Sequence, residues 1–314
     1  MSFATASLRS ALVALRDLRG DVLLYPRSWF PSANWQFDLA ARLIGSGYVT
    51  IEHSTCEPPS GASLGDRGRR LLLTVAPRVV VAVSEFSARR LQEVGFGLSK
   101  LVVVHNGVDP DRFHPDPVAR RLVRTRWGLD DDCLVFGYAG RLSGEKGLSF
   151  ALAAFARSCA TSPHARLVMV GDGSLRSELA TAADALGVSS RVRFEAFSSE
   201  MHRLYQAFDH FVLPSLTEAL PLSLLEAMAS GCAVIATTVG GVPEVLPDEA
   251  VGWTVPPADV DALARAMTRA LALSPADRAV LGARARQRVI DAFDARRQMS
   301  SLVDLLEQRL SAVH

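Results

Sequence analysis

The chain lacks a charge bias. Its 34 basic and 33 acidic residues leave a net charge of +1, without the basic excess by which nucleic-acid binders usually show themselves. No nucleic-acid partner is expected. Cysteine is scarce: Cys56, Cys133, Cys159 and Cys232 are far apart, with no C-x-x-C pair. Such spacing offers neither a zinc site nor a disulfide framework. These residues read as small buried apolar groups in a reducing, cytoplasmic setting. Long apolar runs are missing too, and none reaches the roughly 18 residues that a membrane-spanning helix needs. The opening stretch is broken by Arg9, Arg16, Asp17 and Arg19, which excludes a secretory signal. Its Leu8, Leu12, Leu15 and Leu18 fall at helical spacing and predict an amphipathic, core-facing helix.

The chain has 314 residues, 49% of them hydrophobic. At roughly 150 residues per domain, that predicts two domains, each with its own core. Short apolar runs alternate with helical patterns, the signature of parallel sheets wrapped in helices. In the first third, strands are predicted at Asp21–Pro26, Tyr48–Ser54, Val79–Ser84 and Leu101–His105, with helices at Phe37–Gly45 and Phe86–Gly95. VVVAVS and LVVVHN are continuous apolar runs, as strands buried on both faces require. The Asp- and Pro-rich stretch Asp109–Pro117 suits neither helix nor strand, and the interdomain linker is expected there. A second alternation follows. Its strands are predicted at Cys133–Ala139, Arg166–Val170, Arg191–Phe197, His210–Pro214 and Ala233–Thr237. Its helices are predicted at Leu148–Cys159, Leu175–Leu186, Met201–Phe208, Leu222–Ala229 and Val260–Leu273. Five strand–helix units make a Rossmann-like domain, and two more helices are predicted across Ala276–Val313.

Two motifs carry chemistry. TEALPLSLLEAMASG follows the strand HFVLPS, and Pro221 stands where a helix would begin, at the position that tolerates a missing N–H. Backbone N–H groups across residues 219–222 then face the crevice at the strand ends, where an open parallel sheet binds ligand and a phosphate gains from the helix dipole. Glu218 lies in the loop before that helix and Glu226 in its second turn. Solvated glutamates are the ordinary case, but Glu226 is embedded in the apolar run LSLLEAMA. An unpaired carboxylate is costly to bury there. Two such acceptors suit the hydroxyls of a sugar and a ribose. The second motif is GYAGRLSGEKG, where Gly140, Gly144 and Gly147 permit a tight loop. From it Arg141 and Lys146 reach forward as a planar fork and a mobile point charge, able to neutralise a diphosphate.

Together GRLSGEKG, GDG at residues 171–173 and LPSLTEALPLSLLEAMASGCAVIATTVGGVPEVL at 213–246 closely resemble the retaining glycosyltransferases of family 4, with the E-x7-E spacing from Glu218 to Glu226 as the hallmark. HNGVD at 105–109 and FHP at 113–115 resemble that family's interdomain junction. The resemblance implies an α/β, GT-B-like fold, two Rossmann-like domains facing across a cleft. The boundaries expected are 1–112 for the acceptor-side domain, 113–293 for the donor-binding domain and 294–314 for a helix crossing back to the first. FDARRQMSSLVDLLEQRL carries Met299, Leu302, Leu305, Leu306 and Leu310 at the spacing for that helix. The implied activity is hexosyl transfer (EC 2.4 class) from a UDP- or GDP-sugar to a glycan, lipid-linked or small-molecule acceptor. It would proceed with retention, by front-face displacement and without metal or other cofactor. The Asp130–Asp132 run precedes a strand, at the edge away from the site.

By the same resemblance Arg141 and Lys146 would hold the donor diphosphate, Glu218 the sugar and Glu226 the ribose. The backbone at Ala219, Leu220, Pro221 and Leu222 would bind sugar and phosphate oxygens, with Gly140 and Gly171 in the flanking turns. The loop after Phe197 would flank the base, and His53, in VTIEHS, would stand beside the reacting sugar. Arg67, Arg69, Arg70, Arg78, Arg89 and Arg90 are ordinarily a solvated face; a peripheral docking face for an anionic membrane at its inner leaflet is the other reading.

The chain departs from the family at its start. A first strand, a glycine-rich loop and further elements, about 60–80 residues by the family's pattern, have no counterpart before Asp21. A fragment, a start lying upstream and a true loss are all open. Smaller departures are Ala196–Phe197 where a leucine–glycine pair is commoner, and Ala219 where glycine is commoner. A non-catalytic nucleotide-sugar-binding relative is the alternative function. A dinucleotide-dependent oxidoreductase would need G-x-G-x-x-G opening a helix, and GDGSLRS lacks the third glycine.

Overall fold

The computed structural model describes residues 23–27, 48–52, 77, 79–130 and 132–311. It divides into two compact units, Met1–His105 with Gln298–His314, and Asn106–Arg297. In the first unit the strands are β1 (Leu23–Arg27), β2 (Tyr48–Glu52), β3 (Val79–Ala82) and β4 (Leu101–Val103), with helix α1 (Glu85–Val94) between the last two. They form one parallel sheet in the order β1-β2-β3-β4. The pleat sends alternate side chains to opposite faces. Val80 and Ala82 pack with Ala88, Leu91 and Phe96 on the α1 side, while Val79 and Val81 pack with Val49, Val102, Val104 and Leu302 on the other. Burial on both faces explains the unbroken apolar run of β3. The hydroxyl of Ser84 caps α1 by accepting from the N–H of Ser87, and Gly95 ends it in the left-handed region at φ 109°. The predicted helices at residues 1–20 and 37–45, with Cys56 and His53, lie outside the described residues.

The second unit opens with helix α2 (Pro117–Trp127). Then come β5 (Leu134–Ala139), α3 (Leu148–Ser158), β6 (Ala165–Val170), α4 (Arg176–Ala185), β7 (Val192–Glu195), α5 (Met201–Leu204), β8 (His210–Leu213), α6 (Leu222–Ala229), β9 (Ala233–Thr237), α7 (Val242–Val245) and β10 (Trp253–Val255). Helices α8 (Val260–Leu271), α9 (Pro275–Ala292) and α10 (Ala295–Ser311) complete the chain. Its six strands are all parallel, in the order β10-β9-β8-β5-β6-β7. The chain winds outward from β5 through β6 to β7, then returns to the other side of β5 with β8. The switch point therefore lies between β5 and β8, and an open α/β sheet binds ligand outside the carboxyl ends of such a pair.

Three expectations need correction. Residues 109–117 are no free linker. They belong to the second unit, where Phe113 is buried and the Arg286 guanidinium donates to the carbonyls of Pro110 and Phe113 at 3.0 and 2.7 Å. Helix α2 was not anticipated, although Pro117 occupies its first turn and the carboxylate of Asp116 accepts from the N–H groups of Val118 and Ala119. Strand β10, beyond β9, adds a sixth strand to the expected five.

An ion cluster ties α2 to the sheet. Asp209, just before β8, accepts from Arg120 at 2.8 Å, from Arg124 at 3.2 Å and from the Val135 N–H at 2.8 Å. Burial pushes its carboxyl up, but Arg120, the Val135 N–H, Arg278 and Arg124 together outweigh this and hold it below the usual range. In α10, Leu302 joins the first unit's core with Leu305 and Leu306 against it, whereas Met299 is exposed. Among the described residues no helix is long and apolar enough to cross a membrane. Cys133, Cys159 and Cys232 are buried free thiols.

Candidate functional site

The expected site residues of the second unit come from loops that leave the carboxyl ends of β5, β6, β7 and β8. The first two loops lie against each other. Gly140 and Gly171 adopt φ 153° and 142°, and a Cβ on Gly171 would fall 1.9 Å from the carbonyl oxygen of Gly140. Only glycine permits that approach. The Tyr138 hydroxyl donates to the Arg141 carbonyl at 2.8 Å, which fixes the backbone where the basic loop begins. The guanidinium of Arg141 is 78% exposed and lies 3.4 Å from Glu145. A hydrogen bond from the Ser143 hydroxyl is the main reason that Glu145 titrates below the usual carboxylate range, with Arg141 and Lys146 adding to it. The Leu216 N–H donates to the Glu145 carbonyl at 2.8 Å, so the loop after β5 is tied to the loop after β8.

Across that tie the two loops share an ion pair. Glu218 is buried, and its Oε1 accepts from Lys146 Nζ at 2.7 Å and from the Ser215 hydroxyl at 2.6 Å. The Thr237 hydroxyl, at the end of β9, donates to the Ser215 carbonyl at 2.6 Å. From the opposite side Gly240 presses on the Glu218 backbone. It has φ 56°, and a Cβ there would meet the Glu218 carbonyl oxygen at 1.5 Å. The Gly241 N–H donates to the Ala219 carbonyl at 3.0 Å, and the Asn106 amide donates to the Leu220 carbonyl at 2.9 Å. Three strand ends and the segment before α2 therefore hold one short loop.

That loop feeds α6. Pro221 is extended (φ −75°, ψ 115°) and occupies the capping position, one residue ahead of the helical start at Leu222, and no side chain caps the helix. The first-turn N–H groups of any helix lack intrahelical partners. Ala219, Leu220 and Pro221 are buried, and Leu222 is about half exposed. In the second turn Glu226 is partly buried, and its Oε2 accepts from the Tyr205 hydroxyl at 2.7 Å. Burial raises the Glu226 carboxyl above its ordinary range, against the lowering effects of that hydrogen bond and of Arg112. Burial also raises Tyr205, with the Glu226 charge adding to it, so this phenol stays protonated and remains a donor.

The structure thus brings together Gly140, Arg141, Lys146, Gly171, Glu218, Ala219, Leu220, Pro221, Leu222 and Glu226 on one sheet edge. Phe197 follows β7 on the same edge, 69% exposed, with its N–H on Asp172 Oδ2 at 3.3 Å. His53 lies outside the described residues. Sequence reasoning missed Tyr205, Ser215, Thr237 and Asn106 as partners of the two glutamates and their loop. Asn106 was within the quoted HNGVD and Ser215 within LPS. Nothing local signalled Tyr205 or Thr237: the first reaches Glu226 from the segment before β8, and the second meets the site from the end of β9. Asp130, Asp132 and Cys133 bring their ligand atoms within 4.8 Å of one another, just before β5 and so at the opposite edge.

Comparison with known proteins gives this arrangement a family. The model for glycosyl transferases group 1 matches residues 120–288, and the model for Glycosyltransferase Family 4 matches residues 2–112. The 2-deoxystreptamine glucosyltransferase of Streptomyces kanamyceticus is 31% identical over 245 residues, which is 74% of this chain and 63% of that enzyme. The GDP-mannose-dependent alpha-(1-6)-phosphatidylinositol monomannoside mannosyltransferase of Mycolicibacterium smegmatis is 32% identical over 243 residues, with 74% and 63% covered. The chain thus spans 63% of the length of each of these curated relatives. Among solved structures, Anabaena Alr3699/HepE in complex with UDP-glucose superposes with a TM-score of 0.83 at 21% identity, covering 96% of this chain and 82% of that one. That likeness shows the α/β fold with parallel sheets found in GT-B glycosyltransferases. With the group 1 model matched over more than half of its residues, the chain belongs to the glycosyl transferases group 1 family.

Proposed function

We propose that the chain is a hexosyl-type glycosyltransferase that moves a sugar from a UDP- or GDP-sugar to a glycan, lipid-linked or small-molecule acceptor. The unit Asn106–Arg297 binds the donor, and the unit of Met1–His105 with Gln298–His314 forms the acceptor side, in place of the boundaries at 112 and 293 expected from sequence. The observation that carries this reading is the Lys146–Glu218 pair set across the β5/β8 switch point, beside an uncapped helix start. A diphosphate placed there meets the N–H groups of α6 and the field of its dipole, with Lys146 and Arg141 as cations. Glu218 then accepts from sugar hydroxyls and Glu226 from ribose hydroxyls. The relative from Mycolicibacterium smegmatis is named for GDP-mannose and the Anabaena protein was solved with UDP-glucose, which supports a nucleotide-sugar donor and leaves both bases in play.

In the proposed step the bond from the anomeric carbon to the diphosphate oxygen breaks while the acceptor hydroxyl attacks the same face. The hydroxyl's proton passes to the departing phosphate oxygen. Lys146 and Arg141 stabilise the charge that develops on the leaving diphosphate, the electrostatic term that is usually the largest in such catalysis. Positioning supplies much of the remainder, and no metal is required. The resemblance to family 4 would assign His53 to the reacting sugar and the first unit's arginines to peripheral contact with an anionic surface; His53, Arg67, Arg69, Arg70 and Arg78 lie outside the described residues. The test is proton NMR of the anomer formed from an α-linked UDP- or GDP-sugar. An α-product from the native chain, and loss of turnover by at least about 100-fold in Glu218→Gln, are expected. A β-product would contradict retention, and an unimpaired Glu218→Gln would contradict the assignment of Glu218.

A further inference from the structure

The mechanism above does not use Tyr205, yet its hydroxyl holds the donor-site Glu226 from within the core. Its ring is fully buried. Phe113, Phe208 and Phe211 surround it at centroid distances of 6.0, 5.9 and 5.9 Å. These three rings contact the ring of Tyr205 and not its hydroxyl, so a phenylalanine would keep the same aromatic contacts. The hydroxyl is therefore surplus to packing. A buried hydroxyl without a partner is costly, and among the described residues this one has a single partner, Glu226 Oε2 at 2.7 Å.

That bond fixes how Glu226 presents itself. The side chain of a glutamate has three torsions, and on a helix surface it samples many rotamers. Anchored at Oε2 from beneath, the carboxylate keeps one plane. No hydrogen bond among the described residues takes its Oε1. Arg112 stands near enough to lower the Glu226 carboxyl and is itself tied by its guanidinium to the Ser199 carbonyl at 3.2 Å, in the loop after β7.

We infer that Tyr205 is a positioning residue for ribose recognition: its hydroxyl holds one carboxylate oxygen of Glu226 so that the other faces the ribose hydroxyls of the donor. The inference rests on the nucleotide-sugar reading given above. It makes Tyr205 part of the discrimination between ribo- and deoxyribonucleotides, although it never touches the ligand.

The experiment measures, on the full chain, the affinities of UDP and GDP and of their 2′,3′-dideoxy forms. It compares native protein, Tyr205→Phe, Glu226→Gln and the double variant, with folding read from melting curves of the same samples. For the base that binds, the native chain prefers the ribonucleotide. Tyr205→Phe keeps the ring and melts cooperatively. It loses roughly tenfold in ribonucleotide affinity, the loss expected for one hydrogen bond to a charged group, and little for the dideoxy form. In the Glu226→Gln background the same change adds nothing further, because the two residues act as one unit. Equal losses for ribo and dideoxy forms, or unchanged affinity for both, would overturn the inference while leaving donor binding intact. So would loss of cooperative unfolding in Tyr205→Phe, which would make the hydroxyl a support of the fold. A native chain that binds neither nucleotide would remove the donor reading, and the inference with it.

Discussion

Two cations stand in the loop after β5 and differ in every physical respect. Lys146 has only 18% of its side chain exposed and bonds to a carboxylate that is 9% exposed. Arg141 is 78% exposed and pairs loosely with Glu145. Removing a partner from a largely buried pair leaves a charge without compensation, whereas an exposed pair is worth little. Lys146→Ala is therefore predicted to lower stability by about 1–3 kcal/mol, with Ser215 still holding Glu218. Arg141→Ala should stay within about 0.5 kcal/mol of the native chain. Urea unfolding monitored by circular dichroism distinguishes them, as a shift in midpoint at constant slope for Lys146→Ala alone. Equal midpoints would show that the Lys146–Glu218 bond is not a structural interaction. At this scale much of the site was legible from sequence, because E-x7-E and the GRLSGEKG loop carry their chemistry in their own residues. Tyr205 was not: it reads as one more aromatic in a helical stretch, and its meaning comes only from Glu226, twenty-one residues later.

Elements place those residues. Strands β5 and β8 are neighbours in the sheet although 70 residues and two strands separate them in sequence. That adjacency lets a lysine after one reach a glutamate after the other. The turn after β9 completes the arrangement from behind, with Gly240 at φ 56° against the Glu218 carbonyl. Gly240→Ala would combine a left-handed residue with a backbone clash, so more than about 2 kcal/mol of stability should be lost. Calorimetric melting of the variant tests this, and a native-like melting temperature would show that the turn can move away from Glu218 without cost. The element boundaries explain which parts of the fold could be read in advance. Interior strands such as VVVA, apolar throughout, and AVIAT, apolar up to its final threonine, were recognisable. Strand β10 has three residues, one of them an exposed threonine, too little pattern for any periodicity to register. Helix α2 carried a start signal in Asp116–Pro117, but the neighbouring prolines drew that dipeptide into the supposed linker.

At the scale of the molecule, each unit is built on its own parallel sheet, and the chain passes between them at His105–Asn106 and Arg297–Gln298. The expected donor residues fall in one unit, on the edge where its topology reverses. The alternation of strands and helices made the α/β class legible across the chain. The point of passage was not legible, because proline and aspartate are as compatible with a packed strap as with a linker. Residues 109–117 are held by Arg286 through carbonyl groups, and any residue type can supply a carbonyl. The second unit is proposed to bind a nucleotide-sugar donor through Glu226 and its surroundings. The most direct test is the melting temperature of the whole chain with UDP, GDP, ADP and their sugar conjugates, beside Glu226→Ala. A ligand at about 100 times its dissociation constant adds ~2.7 kcal/mol to the folded state. A clear upward shift is expected with uridine or guanosine diphosphates and their sugars, strongly reduced in Glu226→Ala. A cooperatively melting native chain that responds to none of these nucleotides would contradict that proposal.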